Sequence, residues 1–142
     1  MTRDFVDLGV LPATLDGGVA VRAAIGLIVL SIDQTMELEF RRLLPLDGVG
    51  LYCNRIRVAA EITPENLRAM QPLITPATEL IMPDLHLDVV AFGCTSAAMA
   101  LGEEAIFAEI RKARPGIACT TPVTAALAAF RTLGARRIGV LT

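Results

Sequence analysis

Ala24-Ile25-Gly26-Leu27-Ile28-Val29-Leu30 runs straight into Ser31-Ile32-Asp33-Gln34-Thr35. Seven apolar residues without alternation suit a central parallel strand buried on both faces. The polar residues that follow read as a loop and a helix cap, and Ser31 with Gln34 has capping-box spacing. Leu38, Leu43 and Leu44 recur at helical intervals over 36–44, and Pro45 with Gly48 ends the element. A strand, a polar turn and a helix thus open the domain. The rest of the chain repeats that order.

Downstream, 49–58 reads as a second strand with the polar group Tyr52, Asn54, Arg55 and Arg57 in its later part. Thr63-Pro64-Glu65 starts a helix with a capping hydroxyl, proline at the first helical position and an acid at the positive dipole end. Leu67, Met70 and Ile74 continue its apolar stripe. Pro72 and Pro76 fall inside it, which predicts a kink or two helices in tandem. Residues 87–92 form a third strand, and Gly93-Cys94-Thr95-Ser96 turns out of it. Helices over 97–101 and 103–114 flank Gly102. A short strand over 117–119 follows. Thr121 caps a helix that carries Pro122 at its first position and ends at Gly134. A fifth strand is expected over 138–141. Upstream, 1–22 lacks a sustained period and reads as a leader that lies over the domain or frays.

This alternation predicts an α/β fold, a parallel sheet with helices on both faces and right-handed crossovers, a Rossmann-like three-layer sandwich. The expected division is a leader at 1–22, a first α/β domain at 23–120, and at 121–142 the helix and first strand of an incomplete second domain.

Composition narrows the function. Of 142 residues, 54% are hydrophobic and 20% charged, which excludes wholesale disorder. Thirteen basic against fifteen acidic residues leave a net charge of −2, unlike a polybasic nucleic-acid surface. No apolar run approaches the roughly 18 residues of a membrane span. Cys53, Cys94 and Cys119 are spaced too widely for a compact zinc knuckle and read as free thiols of a reducing compartment. The expectation is a soluble cytoplasmic protein without nucleic-acid or membrane partners. A dinucleotide G-x-G-x-x-G, a phosphate-binding G-x-x-x-x-G-K-S/T and a G-x-S-x-G elbow are all absent. One histidine, His86, argues against a His-rich metal site or a serine triad, and no cofactor is expected. Lys112, the one lysine, falls on a surface helix, which speaks against a phosphorylation-switched regulatory domain.

In an open parallel sheet, ligands bind beyond the carboxyl ends of the strands. Three polar clusters fall there: Ser31 to Thr35, Gly93 to Ser96, and Thr120 with Thr121. Backbone N–H groups at helix starts attract carboxylate or phosphate, so the clusters suggest a small anionic ligand. Cys94 follows a buried strand and precedes two hydroxyls. A thiol at a helix N-terminus can ionise below its ordinary pKa of about 8.5 and act as nucleophile or proton acceptor, although a cysteine also fills buried space well. Cys53 and Cys119 read better as packing. Arg55 could fork onto a carboxylate or be a solvated surface charge. Asp33 is a ligand group or an N-cap. His86 lies at the amino end of the third strand, away from this rim.

With those residues in view, the chain resembles the aspartate/glutamate racemase superfamily. The resemblance is carried by Ile25 to Leu30 with Asp33-Gln34-Thr35, and by Ala91-Phe92-Gly93-Cys94-Thr95-Ser96, similar to the motif of the first catalytic cysteine. Within the superfamily it is similar to the branch of maleate isomerase, arylmalonate decarboxylase and the ectoine-utilisation protein EutA. Tyr52-Cys53-Asn54-Arg55-Ile56 and Thr63-Pro64-Glu65-Asn66-Leu67 look like segments of the last of these. Thr120-Thr121-Pro122 and the run from Leu133 to Thr142 look like the crossing into a second domain.

The resemblance implies an Asp/Glu racemase-like fold of two similar domains facing across a cleft. Each contributes a thiol, and the chemistry needs neither metal nor organic cofactor. It places Cys94 at the first thiol, with Thr95 and Ser96 as carboxylate-cradle candidates. Asp33, Gln34, Thr35, Asn54, Arg55 and Thr121 are further substrate-contact candidates. Asp33 stands where maleate isomerases carry an asparagine, which argues against maleate itself because an acid there would repel a dicarboxylate. The implied activity is isomerisation or racemisation of a small carboxylic acid, in ectoine breakdown. The alternatives are malonate-type decarboxylation, which Cys94 disfavours because that branch replaces the first thiol, and small-acid binding without turnover. The implied partners are the substrate, a missing C-terminal half of the chain that supplies the second thiol, and a possible second copy.

Overall fold

The computed structural model describes residues 5–45 and 47–141. Four strands, β1 (Ala23–Leu30), β2 (Val49–Ile56), β3 (Val89–Phe92) and β4 (Ala118–Thr120), form one parallel sheet in the order β2-β1-β3-β4. The unalternating apolar run is β1, a central strand as expected, and it lies between β2 and β3. Its side chains alternate between two cores. Ala24 and Ile28 point into one, while Leu27 and Val29 point into the other, and the last three of these have no exposed surface. Burying each large aliphatic side chain contributes about 1.5–3 kcal/mol.

The larger core is covered by α2 (Pro64–Arg68), α3 (Gln71–Glu79), α4 (Thr95–Leu101) and α5 (Glu103–Ala113). The expected stripe of Leu67, Met70 and Ile74 is buried there. Thr63 caps α2 by accepting from the Asn66 N–H at 3.2 Å. The proline-bearing stretch resolves into tandem helices. Pro72 sits in the first turn of α3, where its missing N–H would have no partner anyway.

The smaller core is covered by α1 (Met36–Leu43), which packs Met36 and Phe40 onto Leu27, Val29, Leu51 and Ala91. Helices therefore lie on both faces of the sheet. Leu38 and Leu43, expected to form the packing stripe of α1, are exposed instead. The sulfur and ring of Met36 and Phe40, four residues apart, make that contact. The expected Ser31–Gln34 capping box is also absent. The Asp33 carboxylate takes the place of the hydroxyl, accepting from the N–H groups of Thr35 at 3.0 Å and Met36 at 2.8 Å.

Thr121 caps α6 (Pro122–Thr132) with a capping box to Thr124, and Gly134 ends the segment in the left-handed region at φ +63°. The fifth strand expected over 138–141 is not formed. These residues pair with no strand, and Ile138, Val140 and Leu141 are exposed. A strand needs a neighbour's hydrogen bonds as well as apolar side chains. Residues 5–18 carry no helix or strand and are exposed. No described helix is long and apolar enough to cross a membrane.

One charged group ties α3 to α5. Glu109 is 8% exposed, and its carboxylate accepts from Thr75 Oγ1 at 2.7 Å, Lys112 Nζ at 2.7 Å and Gln71 Nε2 at 3.2 Å. Those bonds, led by the Lys112 ammonium, hold the carboxyl below its ordinary range. A depressed pKa contributes stability above the unfolded value and loses it as pH falls through the folded one. Glu109→Ala should therefore destabilise the chain by about 1–3 kcal/mol at neutral pH, because Gln71 loses its acceptor and Thr75 keeps only the Glu109 carbonyl. The difference from wild type should shrink on acidification below the unfolded carboxylate range of about 4.3. Urea titrations at pH 7 and at low pH measure both.

Candidate active site

The carboxyl ends of β1, β3 and β4 are followed by the three clusters the sequence singled out. At the exit of β3, Cys94 is the N-cap of α4. Its Sγ accepts from the Ala97 N–H at 3.4 Å, and its carbonyl accepts from the Ala98 N–H. The residue is 8% exposed and packs at the margin of the larger core. The thiol thus sits at the rim of the sheet yet is largely covered. Thr95 and Ser96, next in the chain, are exposed.

Gly93 makes this turn possible. A Cβ there would lie 2.3 Å from Met36 Sδ and 3.1 Å from the Ile28 carbonyl oxygen, so any side chain would displace one of them. The Gly93 N–H also donates to that carbonyl at 2.7 Å. The start of α1 therefore rests directly on the residue preceding Cys94.

At the exit of β4, Thr121 is buried. Its Oγ1 accepts from the Thr124 N–H at 3.1 Å, and Thr124 in turn donates to the Glu103 carboxylate. This link from α5 to α6 carries no local sequence signal, because its partners lie 21 residues apart. Leu27, Met36, Phe40, Gly93, Thr121 and Ala125 line a largely apolar hollow of about 260 Å³ between α1 and the start of α6.

At the exit of β1, Gln34 and Thr35 are exposed, and the Asp33 carboxylate is turned onto the first N–H groups of α1. Asn54 donates to the Ala77 carbonyl and accepts from the Arg55 N–H. Arg55 Nη1 donates to the carbonyls of Leu30 at 3.1 Å and Asp33 at 2.8 Å, and Nη2 pairs with Glu37 at 2.5 Å. The polar groups of Asn54 and Arg55 thus meet protein partners, and the loop that Arg55 holds is the one that carries Asp33, Gln34 and Thr35. Sequence reasoning had no means of finding this latch.

The other thiols are held protonated. Burial, reinforced by the Glu37 carboxylate, pushes the Cys53 thiol up to about 11. Burial also raises Cys119, whose thiol donates to the Ile117 carbonyl. His86 is exposed at the amino end of β3 and meets Asp88 at 2.9 Å, remote from the rim along the strand. Among the described residues, no three His, Cys, Asp or Glu side chains gather as a metal set would.

Two solved structures share this architecture. The maleate isomerase Iso from Pseudomonas putida S16 superposes with a TM-score of 0.60 at 23% identity, over 79% of this chain and 50% of that one. The Nocardia farcinica maleate cis-trans isomerase bound to TRIS superposes with a TM-score of 0.64 at 24% identity, over 79% of this chain and 49% of that one. The chain shares the fold of these two proteins, a parallel sheet with helices on both faces, and it spans about half the length of each. No family model and no curated protein matches it.

Proposed function

We propose that this chain is the Cys94-bearing half of a cofactor-independent isomerase or racemase acting at a carbon of a small carboxylic acid. One observation carries the reading. In a fold shared with two maleate isomerases, a thiol caps a helix at the carboxyl end of a central strand, where open parallel sheets bind ligands. Deprotonation next to a carboxylate needs a base of matched pKa and donors aimed at the developing enolate oxygens. Cys94 is the base, and the exposed Thr95 and Ser96 supply hydroxyls for the carboxylate. The thiolate takes the proton from one face of the carbon. An acid on the opposite face returns one, so configuration inverts without net redox change.

Cys53 and Cys119 are poor candidates for that acid, since both are packed within strands. The opposing acid belongs to a second half of the active unit, in keeping with the half-length match. The experiment is an assay of the longest natural form of the protein on maleate, an arylmalonate and a panel of single-enantiomer carboxylic acids in deuterated water. Deuterium incorporation at carbon or racemisation supports the proton-transfer route. Conversion of maleate to its trans isomer supports the isomerase route, in which the Cys94 thiolate adds to one alkene carbon, the resulting single bond rotates, and the thiolate leaves again as the double bond re-forms. Decarboxylation alone moves the protein to the malonate branch. Binding of these acids with no turnover reduces it to a small-acid receptor.

A further inference from the structure

We infer that Arg55 is a positioning residue for Cys94, acting through the β1–α1 loop instead of holding a substrate carboxylate itself. The inference rests on reading Cys94 as the reacting thiol. Four contacts connect the two side chains. The Arg55 guanidinium clamps the carbonyls of Leu30 and Asp33, which fixes the loop as it leaves β1. Asp33 then accepts from the Met36 N–H and sets where α1 begins. Met36, the first residue of that helix, lays its sulfur on Gly93, where no Cβ would fit. Gly93 is held from beneath by the Ile28 carbonyl, and the next residue is Cys94. Each link is a direct bond or a close packing contact, so the loop and the thiol turn share one arrangement.

An arginine suits this place because its planar fork reaches two backbone carbonyls and a carboxylate at once, which a lysine ammonium does not. The Glu37 partner matters less. Arg55 and Glu37 side chains are 42% and 31% exposed, and ion pairs at such sites contribute little. The carbonyl clamp is therefore the part that transmits. The coupling is read as a response at Cys94 to a change at Arg55.

The experiment measures alkylation of each cysteine by iodoacetamide, resolved site by site by mass spectrometry, under native conditions. Arg55→Gln should raise the Cys94 rate relative to Cys119 by about threefold or more, the range expected for coupling through packed contacts. Met36→Ala should do the same, since it removes the weight resting on Gly93. It keeps the test alive should Arg55→Gln fail to fold. Glu37→Gln should leave the ratio within about twofold. An unchanged ratio in Arg55→Gln or Met36→Ala overturns the inference. So does parallel acceleration of Cys94 and Cys119, which would mark general loosening, or a Glu37→Gln effect equal to that of Arg55→Gln. The labelling ratio reads positioning whether or not the protein turns over any acid, so its failure is distinct from a failure of the functional assay.

Discussion

Cys94→Ser should lower turnover by about 10²–10⁴-fold while leaving the chain folded, the range lost when a positioned proton-transfer group is removed. The reason is a division of labour within one side chain. As an N-cap, Cys94 accepts from the Ala97 N–H through Sγ, and a serine hydroxyl accepts the same bond more strongly. As a base, it needs a thiol, and a serine hydroxyl is far too weak an acid to ionise near neutral pH. Cys94→Ala removes both functions and should also cost about 1 kcal/mol of stability through the lost cap. The pair of variants separates catalysis from folding. Turnover at the wild-type rate in Cys94→Ser, measured on whichever acid the assay identifies, would sink the assignment. Cys53→Ser provides the contrast. Burial in β2 and the nearby Glu37 carboxylate push its thiol up to about 11, so it contributes no thiolate at neutral pH, and turnover should survive its replacement.

Much of the fold was legible because its signals are local. The apolar run from Ala24 to Leu30 identified the central strand, since a strand covered on both faces cannot alternate. Thr63-Pro64 and Thr121-Pro122 marked helix starts, and Gly134 marked a helix end. Each works through a hydroxyl, a missing N–H or a missing Cβ within a few residues. What the sequence hid depends on partners far along the chain. Arg55 reaches carbonyls more than twenty residues away, Arg114 holds the carbonyls of Ile81, Met82 and Leu85, and Glu109 gathers Thr75 and Gln71 from another helix. No periodicity announces such bonds. The segment over 138–141 failed for a related reason: its composition is that of a strand, but strand formation is decided by a neighbour. At the candidate site, the three rim clusters were placed by topology alone. The engagement of Asp33, Asn54 and Arg55 with backbone was not, because a polar side chain near a rim reads alike whether it meets a ligand or a carbonyl.

Phe92→Ala should cost about 3–5 kcal/mol, a large share of the 5–15 kcal/mol that holds an ordinary domain folded. Phe92 is the last residue of β3 and is 1% exposed. It sits opposite Ile28 in the β1–β3 register, within the larger core that α2 to α5 cover. Truncation leaves a cavity between the sheet and the helices over it, and the backbone hydrogen bonds of the central strands limit collapse into it. Phe92→Leu keeps most of the volume and should cost less than about 1.5 kcal/mol. Urea midpoints at constant slope measure both. The site should respond as well, because Gly93 and Cys94 follow Phe92 directly and inherit its placement. In Phe92→Leu, a chain that stays folded, the Cys94 alkylation rate should remain near wild type. In Phe92→Ala it should rise as local opening becomes easier. A cost below about 1 kcal/mol for Phe92→Ala would mean that this end of β3 is not locked between its neighbours. The rim would then lack the rigid strand that the proposed chemistry at Cys94 requires.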